Sequence, residues 1–518
     1  MKKNPLYLKY LSHSHLIIGL FTLFLFYMST YFGTITLLMP YLNVWESPSR
    51  HYVQSTSFSL PSDESVQTLV NQYGFGSKPI VITLPSFKDP LMKVSSENQN
   101  TLYIHPQTQE IMNISKDEQL LSTFFNELHT GIVIPKIGMP LMGITSIGML
   151  FLSVGGLFLY MYKRKRKASL KHNWREVWFS WHKILGLSMM PYVIIFALSG
   201  AFLGLMLSSS SLFALSTTDF KESNMRKLVA PLIFPKKSVA SSTQNAPSLP
   251  LASLHQEAGK HYPNLVITQV SLYNYGKHNA QTHFSGYVSD NKAQSGRVNR
   301  QSITLESHSG AVFAVKDLST SHGVNKLLST LYYLHFLPDE TLFVRLIFVL
   351  LGVGMMACLM SGYLIWAEKK RSSKGYGADV LNRVSLAFLL GVIPATALIL
   401  WLHWLIPLET FDKEVWMRGL FYAAWSFWLF YFLFESSLVS ALKLLFNLSG
   451  WFFIGALCFH GLKAKAFLWQ SFGKSDWVVF YSDSVLLMVA LLCFYAARKV
   501  SNSEFFYRYE RKGVFNGY

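Results

Sequence analysis

Four histidines stand at positions related by an internal repeat. His15, Gly19 and Gly33 are separated by 4 and 14 residues, and His182, Gly186 and Gly200 repeat those intervals. His129 closes the stretch LLSTFFNELH and is followed 27 residues on by Gly156; His335 closes LLSTLYYLH and is followed 27 residues on by Gly362. A neutral imidazole nitrogen ligates iron, and two facing imidazoles supply both axial positions of a haem. Residues four apart share a helix face, so Gly19 beside His15 and Gly186 beside His182 would let a macrocycle come close to the backbone. A single histidine near a membrane interface is ordinarily a rim residue with a polar tip. Four at duplicated positions, two towards each face, point to ligation: His15 facing His182 and His129 facing His335. No CxxCH attachment motif occurs, so such haem would be b type, and two pairs predict two haems.

The neighbouring candidates read as follows. Glycines 33, 156, 200 and 362 suit helix packing. Arg345, ten residues after His335, is placed to meet a haem propionate or a lipid headgroup. His403 and His460 fall near the ends of apolar runs and are expected to be structural or interfacial. His13 lies two residues from His15, on a different helix face. His105, His172, His255, His261, His278, His283, His308 and His322 show no paired ligand spacing and are expected to be exposed. Cys358, Cys458 and Cys493 each lie inside an apolar run and read as small core residues, which excludes a disulfide scaffold and a Cys-ligated zinc or iron-sulfur site.

The elements that must position these residues are membrane helices. Of 518 residues 51% are hydrophobic and 14% charged, against about 25% charged in a soluble protein. Apolar runs at 16–39, 137–162, 184–207, 341–367, 384–406, 417–435, 438–460 and 477–497 predict eight spans. The net charge of +18 resides in Lys and Arg beside those runs, which fits orientation in a bilayer and argues against nucleic acid as a partner. KRKRKASLKHNWREVW after the second span and the cluster from Lys369 to Arg383 after the fourth predict cytoplasmic loops, with both termini on the cytoplasmic side. Lys463, Lys465 and Lys474, in an expected outer loop, pull against that orientation. Trp174, Trp178 and Trp181 read as an interfacial aromatic belt.

The predicted organisation is a first membrane helix at 10–40, an exported segment at 41–128, and two spans with a basic loop at 129–207. A second exported segment follows at 208–326, then a fourth span at 327–370, four more spans at 384–497 and a cytoplasmic tail at 498–518. The second segment alternates as a small α+β unit: a helix in LPLASLHQEAGKHYP and strands in LVITQVSLYN, THFSGYVSD, RQSITLES and VFAVKD. The first is a weaker echo, with strands in IVITLPS, LMKVSS and TLYIHPQTQEIM. The fold class is therefore an α-helical polytopic membrane protein with two small exported domains inserted in a duplicated helix-domain-helix unit.

The stretches FSWHKILGLSMMPYVIIFALSGAFLG, ELHTG, and LYYLHF followed by VRLIFVLLGVGMMACLMSGYLIW resemble the PepSY-associated transmembrane family, over roughly residues 10 to 370. That family includes iron-regulated inner-membrane ferric-siderophore reductases. The resemblance implies PepSY-type exported domains, b-type haem on His15, His129, His182 and His335, and electrons moving outward to a ferric chelate. The four spans after residue 384 extend beyond the family's four-helix core. No GxGxxG follows a strand, so the electron donor, a quinol or a cytoplasmic reductase, is separate. A non-redox scaffold binding or inhibiting an exported protease is the alternative, and it predicts a colourless protein. A transporter is disfavoured, because the repeats share one topology and no acidic residue lies within the first four spans.

Overall fold

The computed structural model describes residues 5–53, 60–73, 78–97, 99–112, 114–163, 174–217, 242, 244–296, 299–338, 340–371 and 376–502. Most of the basic loop after the second span, with His172, and most of the tail lie outside the described residues.

The helices in chain order are α1 (Pro5–Thr36), α2 (Met39–Trp45), α3 (Asp63–Tyr73), α4 (Leu120–Thr130), α5 (Gly138–Lys163), α6 (Trp174–Ser188), α7 (Met190–Thr217), α8 (Leu251–His261), α9 (Gly323–Phe336), α10 (Leu342–Arg371), α11 (Tyr376–Leu405), α12 (Lys413–Phe434), α13 (Leu438–Ala464), α14 (Leu468–Gly473) and α15 (Trp477–Ser501). The strands are β1 (Ile80–Thr83), β2 (Met92–Ser95), β3 (Leu102–Ile104), β4 (Ile111–Met112), β5 (Leu265–Tyr273), β6 (Gln281–Val288), β7 (Gln301–Glu306) and β8 (Val312–Lys316). The chain divides into two compact units, one of residues 1–48, 116–206 and 342–518, the other of residues 49–115 and 207–341.

The first unit is helical. Six of its helices are long and apolar enough to cross a bilayer, namely α1, α5, α10, α11, α13 and α15, or seven spans if the bent pair α6 and α7 makes one. Eight had been predicted. The sixth of those corresponds to α12, which opens with Lys413, Glu414 and Arg418 and is not among the six. The third is the pair α6 and α7, bent by 64°. Pro191, second in α7, has no N–H to return to the preceding turn, which breaks the helix there and leaves His182 on α6, before the bend. Phe32, Trp45, Phe125, Phe421 and Phe432 are fully buried where α1, α2 and α4 meet the later helices.

The second unit is a single antiparallel sheet in the order β4-β3-β2-β1-β5-β6-β7-β8. The two segments between the spans thus do not form separate sheets: β1 pairs with β5, setting Ile80 opposite Leu272 and Ile82 opposite Val270. Equivalent strands of a duplicated unit that pair antiparallel are related by a local twofold axis, so the sheet carries the same repeat as the histidines. Val66 and Leu69 of α3 and Leu251, Leu254 and Ala258 of α8 fill the core above Ile80, Ile82, Val270, Phe284 and Ile303. Two boundaries differ from the sequence reading. Residues 116–128, with the start of α4, belong to the helical unit, and α9, which carries His335, belongs to the sheet unit.

Candidate histidine site

His15 on α1 and His182 on α6 come together, their ring centroids 6.3 Å apart and their planes at 76°. Metal to imidazole-nitrogen bonds of about 2 Å on opposite sides of one ion would separate two ring centroids by roughly 6 Å. His182 donates its Nδ1–H to the carbonyl of Cys358 on α10 at 3.0 Å. A carbonyl only accepts, so that bond assigns the proton to Nδ1 and leaves the lone pair on Nε2, the arrangement that orients imidazole ligands at metal sites. The Nδ1 atom of His15 is buried and makes no hydrogen bond among the described residues. Buried polar atoms are normally paired, so this pair fits a group bound between the rings.

Glycine makes the room. A Cβ placed on Gly362 of α10 would lie 3.0 Å from the His182 ring, and one on Gly156 of α5 would lie 3.3 Å from the His15 ring. These are two of the four duplicated glycines, and they do pack helices together, but what they pack against is the imidazole. Gly19 and Gly186, expected to admit a macrocycle, meet ordinary neighbours instead: Leu152 at 3.8 Å and the Cys358 Sγ at 3.7 Å.

His129, next to last in α4, repeats this construction with α1. Its Nδ1–H donates to the Ser29 carbonyl at 2.9 Å, and a Cβ on Gly33 would lie 2.9 Å from its ring. Burial pushes its pKa below the ordinary imidazole range, with the Ser29 carbonyl working the other way, so the ring is neutral and fit to ligate at pH 7. His335 lies on α9 in the other compact unit.

The remaining candidates resolve differently. Arg345 is 1% exposed, and its Nη1 donates to the Leu37 carbonyl at 2.6 Å. His403 and His460 are buried in a polar network. His403 donates from Nε2 to the Glu46 carbonyl at 2.9 Å, and His460 Nδ1 lies 3.0 Å from the Asp483 carboxylate, which also accepts the Trp45 indole N–H at 2.8 Å. Cys358 and Cys493 are buried as expected, whereas Cys458 is exposed. It lies off the buried stripe of Phe453, Ala456 and His460 on α13, and an apolar run does not reveal which face is outward. His261, His278, His308 and His322 are exposed, while His105, His255 and His283 are partly buried. Among the described residues no three His, Cys, Asp or Glu side chains converge on one point.

The sequence reading missed Glu46, Lys413 and Asp483, all buried. Only the rarity of acidic and basic residues within apolar helices could have marked the last two.

The family profile of the PepSY-associated TM region matches residues 12–369. All four histidines fall inside it and α11 to α15 outside. No curated protein matches the chain.

Proposed function

The chain belongs to the PepSY-associated TM family, and from that premise we propose that it is a haem-containing inner-membrane reductase that passes electrons across the bilayer to a ferric chelate, a ferric siderophore being the acceptor. The observation that carries the reading is the His15 and His182 pair, 6.3 Å apart, with His182 held by a backbone carbonyl and both rings seated against glycine. A b-type haem bound there supplies one-electron chemistry that no side chain offers. His15 and His182 are its proposed axial ligands; Cys358 and Gly362 orient His182, and Gly156 seats His15. His129, oriented by Ser29 and Gly33, is the proposed ligand of a second haem, with His335 as its partner by the duplication. Oxygen-donor chelators hold ferric iron far more tightly than ferrous iron, so one electron delivered to the chelate releases its metal. The donor is a separate quinol or cytoplasmic reductase.

The purified protein should show sharp low-spin bands on reduction with dithionite and a b-type pyridine haemochrome. Adding a ferric siderophore to the reduced protein should restore the oxidised spectrum and yield ferrous iron, trapped by a ferrous-specific chelator. A folded, colourless protein would sink this reading in favour of a non-redox scaffold. For the orientation, a single cysteine at position 290 should react with an impermeant thiol reagent in intact spheroplasts, and one at 170 should be protected; the reverse result overturns it.

A further inference from the structure

We propose that Glu46 is a positioning residue for the His129 site, and that α11 to α15, outside the family region, hold that site and set its charge. This rests on the haem reading above. α4 has 11 residues, and its N-cap, Gln119, makes no side-chain capping bond. So short a helix is not stable by itself, and its first N–H groups need partners from elsewhere. Glu46, completely buried, provides them: its carboxylate oxygens accept from Leu121 N–H at 2.7 Å and Ser122 N–H at 3.1 Å.

Glu46 is itself held by the later helices. His403 of α11 binds its carbonyl, and the buried Lys413 of α12 donates to the His403 carbonyl at 2.9 Å. The preceding residue, Trp45, is tied to Asp483 of α15 and lies against His460 of α13, ring centroids 5.0 Å apart. At the far end of α4, Arg418 of α12 pairs with Glu127 at 2.7 Å and covers the Phe124 ring at 5.2 Å. The helix that carries His129 is thus gripped at its first turn by Glu46, which His403 of α11 holds, and towards its far end by Arg418 of α12. A tilt about its first turn would carry the imidazole off the Ser29 carbonyl and Gly33.

The grip is also electrostatic. His129 lies eight residues beyond Leu121, about 12 Å along a helix that rises ~1.5 Å per residue. A negative charge at that distance, at an effective dielectric of about 20, disfavours adding an electron by about tenfold, equivalent to about 59 mV for one electron. In its ionised form Glu46 would make the His129 site more strongly reducing, with the buried Lys413 offsetting part of the effect, which suits a site that hands electrons to a chelate.

Redox titration of the full chain, followed at the two spectral components, tests this. Glu46→Gln keeps the shape and one acceptor oxygen and should shift the His129 component to more positive potential by about tenfold in its equilibrium, leaving the His15 and His182 component in place. Arg418→Met strips Glu127 of its counter-ion and should shift the same component the opposite way. Glu46→Ala should broaden or deplete that component and speed amide hydrogen exchange in α4 but not α6; if this variant fails to fold, the other two decide. Unchanged potentials in Glu46→Gln and Arg418→Met, or equal shifts of both components, overturn the proposal. A wild-type protein without haem would remove the functional reading instead, and the exchange of α4 would still judge the brace: α4 protection unaltered in Glu46→Ala overturns it.

Discussion

His182 and His129 each donate Nδ1–H to a backbone carbonyl, at 3.0 and 2.9 Å, and each ring lies against a glycine of a neighbouring helix. The supports differ. His182 stands on a bent pair of helices of 15 and 28 residues, with α10 packed alongside. His129 stands on 11 residues that depend on Glu46 and Arg418 for their footing. One site is held by helices of the duplicated region, the other also by helices that follow that region in the chain. The same carbonyl bond and glycine contact thus have unequal structural support, and perturbations should separate the two.

The largest separation is expected from His182→Ala, which removes one of two facing ligands: the spectral component of the His15 and His182 pair should disappear and that of His129 persist. Loss of both components, or of neither, would end the assignment of two independent sites. A smaller, graded effect is expected at the glycines. Gly362→Leu and Gly33→Leu each drive a side chain into an imidazole already within about 3 Å of the Cβ position, an overpacking cost of about 1–3 kcal/mol, and each should disturb only its own component. Gly156→Ala, at 3.3 Å, should cost less than either on thermal unfolding. If all three variants unfold and absorb like the wild type, the glycines do not seat the rings.

The smallest effect is the dependence on pH. Because the folded-state pKa of His129 is lowered, the unfolded chain binds the extra proton first. This stabilising contribution is complete above the unfolded value of about 6.5 and fades as pH falls towards and through the lower folded value. With no haem bound, His129→Phe should flatten the pH dependence of unfolding over that interval, and an unaltered profile would contradict the shift.

The repeat made the membrane helices and the His15 and His182 pair legible in the sequence, because spacing that recurs in two copies survives into space as two equivalent surfaces. It also marked the right glycines while leaving their neighbours hidden: Gly156 lies far along the chain from His15, and Gly33 from His129, since each ring packs on an antiparallel partner helix. Glu46, Asp483 and Lys413 were illegible for a related reason. Each acts on a residue of another helix, and no local period announces it. The place of Arg345 after His335 suggests a haem propionate or a lipid headgroup, and it does not reveal the bond its guanidinium donates to the Leu37 carbonyl beyond the end of α1. The strands were readable from alternation, but the union of β1 with β5 was not, since pairing over such a distance is decided by tertiary structure.

That union bears on how the protein is made. Ile80 must wait for Leu272, on the order of 190 residues later, which at ribosomal speeds of about 5–20 residues per second amounts to about 10 to 40 s. Throughout that interval β1 is an open edge whose backbone groups lack their β5 partners, the condition in which strands pair with the wrong chain. Five helices among the described residues, α4 to α8, have to be synthesised before the strand that joins the two halves of the sheet is available. Biogenesis of this protein therefore couples the completion of a sheet to the correct passage of helices through the insertion machinery, and a stall at α6 or α7 would leave the first segment stranded half-folded.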